Sequence, residues 1–401
     1  MKNFRILSVD ALFEGGRMFV GGISVAFMLS RGLPPSSIAT LKAIQALIVF
    51  LGEVPSGVLS DQFGRKKSLL LSTFFCALGF FVFIYSNELW HFIVGESLLA
   101  LSLCFWSGSY EAWAIDRCKI ENSKSELRAF FQVNTSVNQS TVVLTGFIAG
   151  LLVGNADNYL MAYYAGFGSM IALFCMLIFS EEDSLNRNEK KSYIEETRLH
   201  LQETIKWTKN SFSSNNSLYL VVLLQFMAQP MLHYWQPLSQ NILNVGAKEL
   251  SYMFSFFCLG SALLNYLLKN YYKSQPLILL TLWSCFFAIL GFTRSPYLVF
   301  FNIFIIQTSY FYIRSIINAS IAHEAPADKR ASILSAAGLI SRIGMLGSLG
   351  FTAFYLGKSP QTEVADKYLS LFLIYGLIGF SIIGTASIFK TRLKIFRRRF
   401  A

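Results

Sequence analysis

Asp10, Glu14 and Arg17 stand four and three residues apart in an otherwise apolar run near the start of the chain. On a helix that spacing puts all three on one face. Burial favours the neutral form of a carboxyl, and a neighbouring cation favours the charged form. A carboxyl placed between those influences binds and releases a proton as its access to water changes. Glu14 is the first choice for such a coupling acid and Asp10 the second. A structural ion pair between Glu14 and Arg17 is the other reading of the same residues. Glu96 and Glu111 add acids in a later apolar run, with Glu53 ahead of them.

A second set of polar residues suits recognition rather than proton transfer. Gln229, His233 and Tyr234 share one apolar run, Gln307, Tyr310 and Arg314 another, and Arg342 sits alone in a third. Amides and phenols bind polar solutes by hydrogen bonds, and the arginine fork matches carboxylate or phosphate. The aromatic members read equally well as packing residues, and His233 as a simple hydrogen-bonding group. No chemistry that breaks bonds is visible. There is no Gly-x-x-x-x-Gly-Lys-Ser/Thr loop, no nucleophile elbow and no Cys/His ligand cluster, so neither an enzyme, a cofactor nor a metal is expected.

The elements that must position these residues are membrane helices. Hydrophobic residues make up 54% of the 401 and charged residues 14%, against about 25% charged in a soluble domain. A hydrocarbon core takes roughly 20 apolar residues per helix. Turn and charge signals divide the chain into twelve such spans: 5–29, 37–60, 67–86, 89–114, 128–154, 159–180, 217–243, 250–269, 276–293, 296–321, 331–356 and 367–389. Spans 1, 7 and 11 are the most polar. At about 1.5 Å per residue, Glu14 and Arg17 lie roughly 14–18 Å along the first span, near the membrane midplane. Two prolines, Pro230 and Pro237, are expected to bend or break the seventh span.

The longest polar stretch, 181–216, separates six spans from six. The expected organisation is an N-terminal half, 1–180, a cytoplasmic linker, 181–216, with a possible amphipathic helix, and a C-terminal half, 217–401. Of the 34 Lys and Arg residues, 25 fall on the side of the N-terminus and 5 on the other. By the positive-inside rule both termini are cytoplasmic. The same distribution accounts for the net charge of +11 without a nucleic-acid partner. The tail from Lys390 to Arg399 reads as an anchor to anionic lipid. The six cysteines form no Cys-x-x-Cys pair and read as free thiols.

Between the second and third spans the chain reads Gly57-Val-Leu-Ser-Asp61-Gln-Phe-Gly64-Arg65-Lys66-Lys67. With twelve spans and a central linker, this loop resembles the major facilitator superfamily, whose pattern there is Gly-x-Leu-x-Asp-x-x-Gly-Arg-Lys/Arg. The stretches around 52–71 and 107–116 look like a bacterial branch of small-molecule exporters in that family. The fourth span departs from the family by carrying Glu96 where an arginine is frequent. The fifth span lacks the glycine-proline pair common in antiporters.

The resemblance implies an all-α integral membrane fold with two pseudo-symmetric six-helix halves that rock around a midplane site lined by helices 1, 4, 7 and 10. It implies a cytoplasmic latch in which Asp61 meets the start of helix 11 and Arg65 meets Asp116, with Gly57 and Gly64 permitting close approach; plain topogenic charge is the other reading. The expected function is secondary active transport of a small polar or amphipathic solute across the cytoplasmic (inner) membrane by a monomer, as proton-coupled export of a drug, metabolite or siderophore-like organic anion. Proton-coupled uptake is the alternative. A non-transporting sensor or an intramembrane enzyme is the alternative of a different class.

Overall fold

The computed structural model describes the chain except residues 1, 108, 111–112, 115–123, 181–201, 203–215, 269–275, 325–329, 359–363 and 400–401. Among the described residues there are thirteen helices and no strand. They are α1 (Lys2–Met18), α2 (Ser24–Ser30), α3 (Pro35–Phe63), α4 (Arg65–Ile84), α5 (Leu89–Trp106), α6 (Lys124–Val153), α7 (Tyr159–Ile178), α8 (Asn216–Leu243), α9 (Ala247–Leu267), α10 (Pro276–Phe292), α11 (Pro296–Glu324), α12 (Arg330–Lys358) and α13 (Val364–Arg399).

Nine of these helices are long and apolar enough to cross a membrane, and α10 is apolar but 17 residues long. Among the described residues the expected spans without such a helix are the first, the seventh and the ninth. The first is divided into helices of 17 and 7 residues, the ninth is α10, and the seventh is diluted by its polar residues. Span 11, also polar, does carry a qualifying stretch, Ala337–Gly357.

Two sequence expectations need correction. The first span is not one helix: residues 19–23 form turns between α1 and α2. Gly21 and Gly22 fall inside that break, where helix propensity is weakest. The seventh span is not broken by its prolines, because α8 runs through both Pro230 and Pro237. Two side-chain amides bond carbonyls of the same stretch: Asn241 Nδ2 donates to that of Pro237 at 2.7 Å, and Gln307 Nε2 to that of Met231 at 3.2 Å, neither being a carbonyl that a proline leaves bare.

The chain forms two compact units, Met1–Ser213 with Val245–Ala262, and Ser214–Asn244 with Leu263–Ala401. In the first, α1 is pressed against α6 and α7. A Cβ on Gly15 would meet Thr141 Cγ2 at 2.5 Å, and one on Gly16 would overlap Met170 and Ser169. Only glycine lets the backbones come this close. A ladder of hydroxyls joins α3, α4 and α5. Ser56 Oγ donates to the Cys104 carbonyl at 2.7 Å, Ser68 Oγ to that of Phe105 at 2.9 Å, and Ser72 Oγ to that of Ser102 at 2.7 Å. Ser109 Oγ completes it by donating to Ser60 Oγ at 2.8 Å.

The segment 245–262 belongs to this first unit through polar and aromatic contacts. Asp157 Oδ1 accepts from the Ala247 N–H at 2.6 Å, at the start of α9, where unpaired backbone donors attract a carboxylate. Lys248 Nζ donates to Asn155 Oδ1 at 2.8 Å, and the Phe147 and Tyr252 rings stack with centroids 5.2 Å apart.

In the second unit, α8 packs on α11 and α12, and α10 on α13. Tyr375 of α13 is its buried polar hub. Its hydroxyl lies 2.7 Å from Ser348 Oγ and 2.9 Å from Thr352 Oγ1, and donates to the Ser348 carbonyl at 2.8 Å. Arg294 and Asp366 form an ion pair of 2.9 Å outside the core.

Candidate functional site

In the first unit, α1 places Glu14 and Arg17 one helical turn apart, and Arg17 Nη1 donates to Glu14 Oε1 at 3.1 Å and Oε2 at 3.3 Å. Both side chains remain partly open, Arg17 at 20% and Glu14 at 29%. The guanidinium also lies 5.5 Å from the centroid of the Phe13 ring. Phe13 stacks on Trp106 at 3.7 Å, and Trp106 on Tyr110 at 5.6 Å, with interplanar angles of 7° and 5°. A column of rings thus runs from the Arg17 charge into α5 and beyond.

The same column holds Asp10. Trp106 Nε1 donates to Asp10 Oδ1 at 2.9 Å, and Asn134 Nδ2 and Asn138 Nδ2 donate to Oδ2 at 2.8 and 2.6 Å. Tyr110 donates to Asn134 Oδ1 at 3.1 Å. Three donors converge on this buried carboxyl and anchor α1 to α5 and α6. Asp10 and Glu14 are therefore different in kind: one is enclosed by donors, the other is open with a single partner among the described residues.

Glu96 sits about 10 Å along α5 from its start at Leu89 and is fully buried. Lys42 Nζ of α3, also buried, donates to Glu96 Oε1, while Glu96 Oε2 has no partner among the described residues. Such a pair is net neutral, and losing either member strands the other charge in an apolar interior. Glu53 accepts from Ser107 Oγ at 3.2 Å through Oε1, and its buried Oε2 is without a partner among the described residues.

The second unit holds a neutral cluster. Gln225 Nε2 donates to the Tyr310 hydroxyl at 3.0 Å. Gln229 Nε2 donates to the Gln225 carbonyl at 3.2 Å and to Gln225 Oε1 at 3.1 Å. Gln307 is tied to α8 through the Met231 carbonyl. The structure thus brings together three residues singled out in the sequence, Gln229, Gln307 and Tyr310, and adds Gln225. Tyr234 is fully buried against Tyr368, with ring centroids 5.7 Å apart, and His233 is half-buried.

The two arginines of this unit singled out in the sequence stand apart from the cluster's bonds. Arg342 is half-buried and reaches Met345 Sδ at 3.8 Å, and Arg314 is exposed. Neither has an acidic partner among the described residues.

The basic loop is described in part. Gly64 is both the end of α3 and the start of α4, with φ +106° and ψ 136°, backbone that is almost confined to glycine. Lys66 Nζ donates to the carbonyls of Ile178 at 3.0 Å and Ser180 at 2.5 Å, closing the end of α7, where unpaired carbonyls favour a cation. Nothing lies within 4 Å of a Cβ added at Gly57. Glu111, Asp116, the linker apart from Gln202 and Asn216, and the side chains of Asp61 and residues 331–335 lie outside the described residues.

Sequence reasoning passed over Lys42 as a partner for Glu96, and Trp106, Asn134, Asn138 and Gln225 as partners for the groups it chose. One signal was present: Asn134 and Asn138 stand four apart in an apolar span, as Gln225 and Gln229 do, and such pairs share a helix face.

The model of the Major Facilitator Superfamily matches residues 11–349. The chain is 26% identical over 244 residues to the uncharacterized MFS-type transporter YxaM of Bacillus subtilis (strain 168), an alignment covering 58% of this chain and 57% of that protein. The chain thus spans little more than half the length of this curated relative. Among solved structures, the nucleoside transporter NupG superposes with a TM-score of 0.77 at 12% identity, over 97% of this chain and 99% of NupG. A structure of a proton dependent oligopeptide transporter gives 0.68 at 14% identity, over 97% and 99%. At such low identity these likenesses speak for the fold.

Proposed function

The chain belongs to the major facilitator superfamily, and from that premise we propose that it is a proton-coupled secondary transporter of a small polar solute, with Glu14 as the coupling acid. The observation that carries this reading is the contrast within α1. Glu14 is partly open and bonded to Arg17 alone among the described residues, whereas Asp10 is enclosed by three donors. A proton arriving at Glu14 replaces one ion pair and leaves Arg17 beside the Phe13 ring, a compensating contact. A proton arriving at Asp10 would set a hydrogen against at least one of three donors and take the charge from the bonds that remain. Glu96 is a weaker choice because its protonation strands the buried Lys42 ammonium.

Export is the direction favoured by the resemblance of 52–71 and 107–116 to small-molecule exporters. Arg314 and Arg342 support a solute with an anionic group. The charge distribution supports a cytoplasmic-membrane protein with both termini inside, and the proposed working form is the monomer. Asp61, Arg65 and Asp116 remain the proposed latch on that side.

Reconstitution into proteoliposomes with an imposed pH gradient tests the reading against organic anions, sugars, metallophores and cationic drugs. The expected result is gradient-driven movement of a polar solute by the native chain and its loss in Glu14→Gln. Transport of equal rate with and without the gradient would remove protons from the account.

A further inference from the structure

Two hydrogen-bonding valences in the Gln225–Gln229–Tyr310 cluster are unspent among the described residues. Gln229 is 1% exposed, and its Oε1 has no partner among the described residues. The orientation of this amide is fixed by its surroundings. Reversing it would turn Oε1 toward two acceptors, the Gln225 carbonyl and Gln225 Oε1, which now receive Nε2. Next along the chain of bonds, the Tyr310 hydroxyl accepts from Gln225 Nε2, and no acceptor for its own hydrogen is found among the described residues. The cluster therefore presents one free acceptor and one free donor, held on either side of a single amide, Gln225.

The parts are fixed in place. Tyr310 stacks against Trp283 at 6.2 Å and meets Phe311 edge-on at 5.0 Å, and Trp283 Nε1 is itself tied to the Ile306 carbonyl at 3.1 Å. An unpaired amide oxygen in an apolar interior is a standing cost that packing alone does not require.

We propose that Gln229 and Tyr310 form a subsite for an uncharged group that both donates and accepts a hydrogen bond, such as the N–H and C=O of an amide or ring imide in the transported solute. Gln229 Oε1 receives the N–H, and the Tyr310 hydroxyl donates to the C=O. A carboxylate only accepts, so it satisfies Tyr310 and sets negative charge toward the bare Gln229 oxygen. An ammonium only donates and leaves Tyr310 unanswered. The anionic end of the solute, if it has one, belongs to the arginines and not here.

This inference rests on the transport reading only for calling the ligand a cargo, so the test is of binding in detergent, where no gradient exists. Thermal stabilisation of the full chain is measured with uracil, succinimide and 2-pyrrolidone, with their N-methylated counterparts, and with benzoate and tetraphenylphosphonium. Stabilisation by the N–H compounds is expected, and affinity about tenfold lower once the donor is methylated or the acceptor removed in Gln229→Leu. Tyr310→Phe deletes the hydroxyl alone and carries the test if Gln229→Leu does not fold. Arg294→Gln, at the exposed ion pair of the same unit, is expected to bind as the native chain does. Equal stabilisation by the methylated forms, stabilisation by benzoate instead, undiminished binding in both variants, or silence across the panel overturns the proposal.

Discussion

The two units bury different kinds of polar chemistry. Among the described residues, every buried ionisable side chain of the polar core, Asp10, Lys42 and Glu96, lies in the first unit. The second unit buries amides and hydroxyls: Gln229, Gln236, Ser239, Ser284, Asn302, Thr308, Ser341, Ser348 and Thr352. In the first, each buried charge is answered by a counter-charge or by several donors. In the second, the α8 cluster leaves a donor and an acceptor unanswered. Open valences occur in both units: Glu96 Oε2, in the first, has no partner among the described residues, but Lys42 compensates its charge. An uncompensated charge in hydrocarbon costs several kcal/mol, whereas a neutral amide left open costs about 1–3 kcal/mol. The neutral cluster of the second unit is thus where a bond is kept open for a solute at the smaller cost.

That contrast can be broken most forcefully at the ion pair. Lys42→Met leaves Glu96 buried alone and is expected to destabilise the chain by about 3–5 kcal/mol. The double variant with Glu96→Gln should recover most of that loss in thermal unfolding in detergent. A single variant as stable as the native chain would show that the pair is not where the first unit keeps its charge.

Asp10→Asn comes next. Its amide turns an N–H₂ toward at least one of the three donors now facing the carboxylate, for an expected loss of about 2–3 kcal/mol. Tyr375→Phe, in the second unit, removes a hydroxyl that answers Ser348 and Thr352, and should cost about 1–2 kcal/mol in the same assay. It is the control showing that neutral groups in this unit matter when they are fully bonded.

The smallest effect is expected where the bonds are open. Gln229→Leu removes a buried acceptor that has no partner, so stability should stay within about 1 kcal/mol of native, and a gain is the favoured sign. A loss on the scale of Asp10→Asn would make Gln229 a structural residue like those of the first unit and erase the contrast.

Much of this was legible in the sequence. The helical membrane class, the family and the Glu14–Arg17 pair follow from apolar run lengths, a loop motif and a spacing of three. The partners across helices were not legible, because Lys42 and Glu96 are 54 residues apart and Asp10 and Asn138 are 128 apart. Helical periodicity reports which residues share a face and nothing about the facing helix. Of the bend or break expected at the prolines of α8, the break does not occur. Proline removes one backbone bond locally, and a helix packed against its neighbours can run on past that loss. The break at 19–23 had its signal in Gly21-Gly22, overshadowed by the apolar residues on either side.

The central claim is that Glu14 couples protons while the neutral cluster binds the solute. Its most direct test compares two assays on Glu14→Gln in proteoliposomes: solute movement driven by a pH gradient, and one-for-one solute exchange without a gradient. The account predicts that gradient-driven movement is abolished while exchange continues near the native rate. Gradient-driven movement that survives the substitution would contradict it.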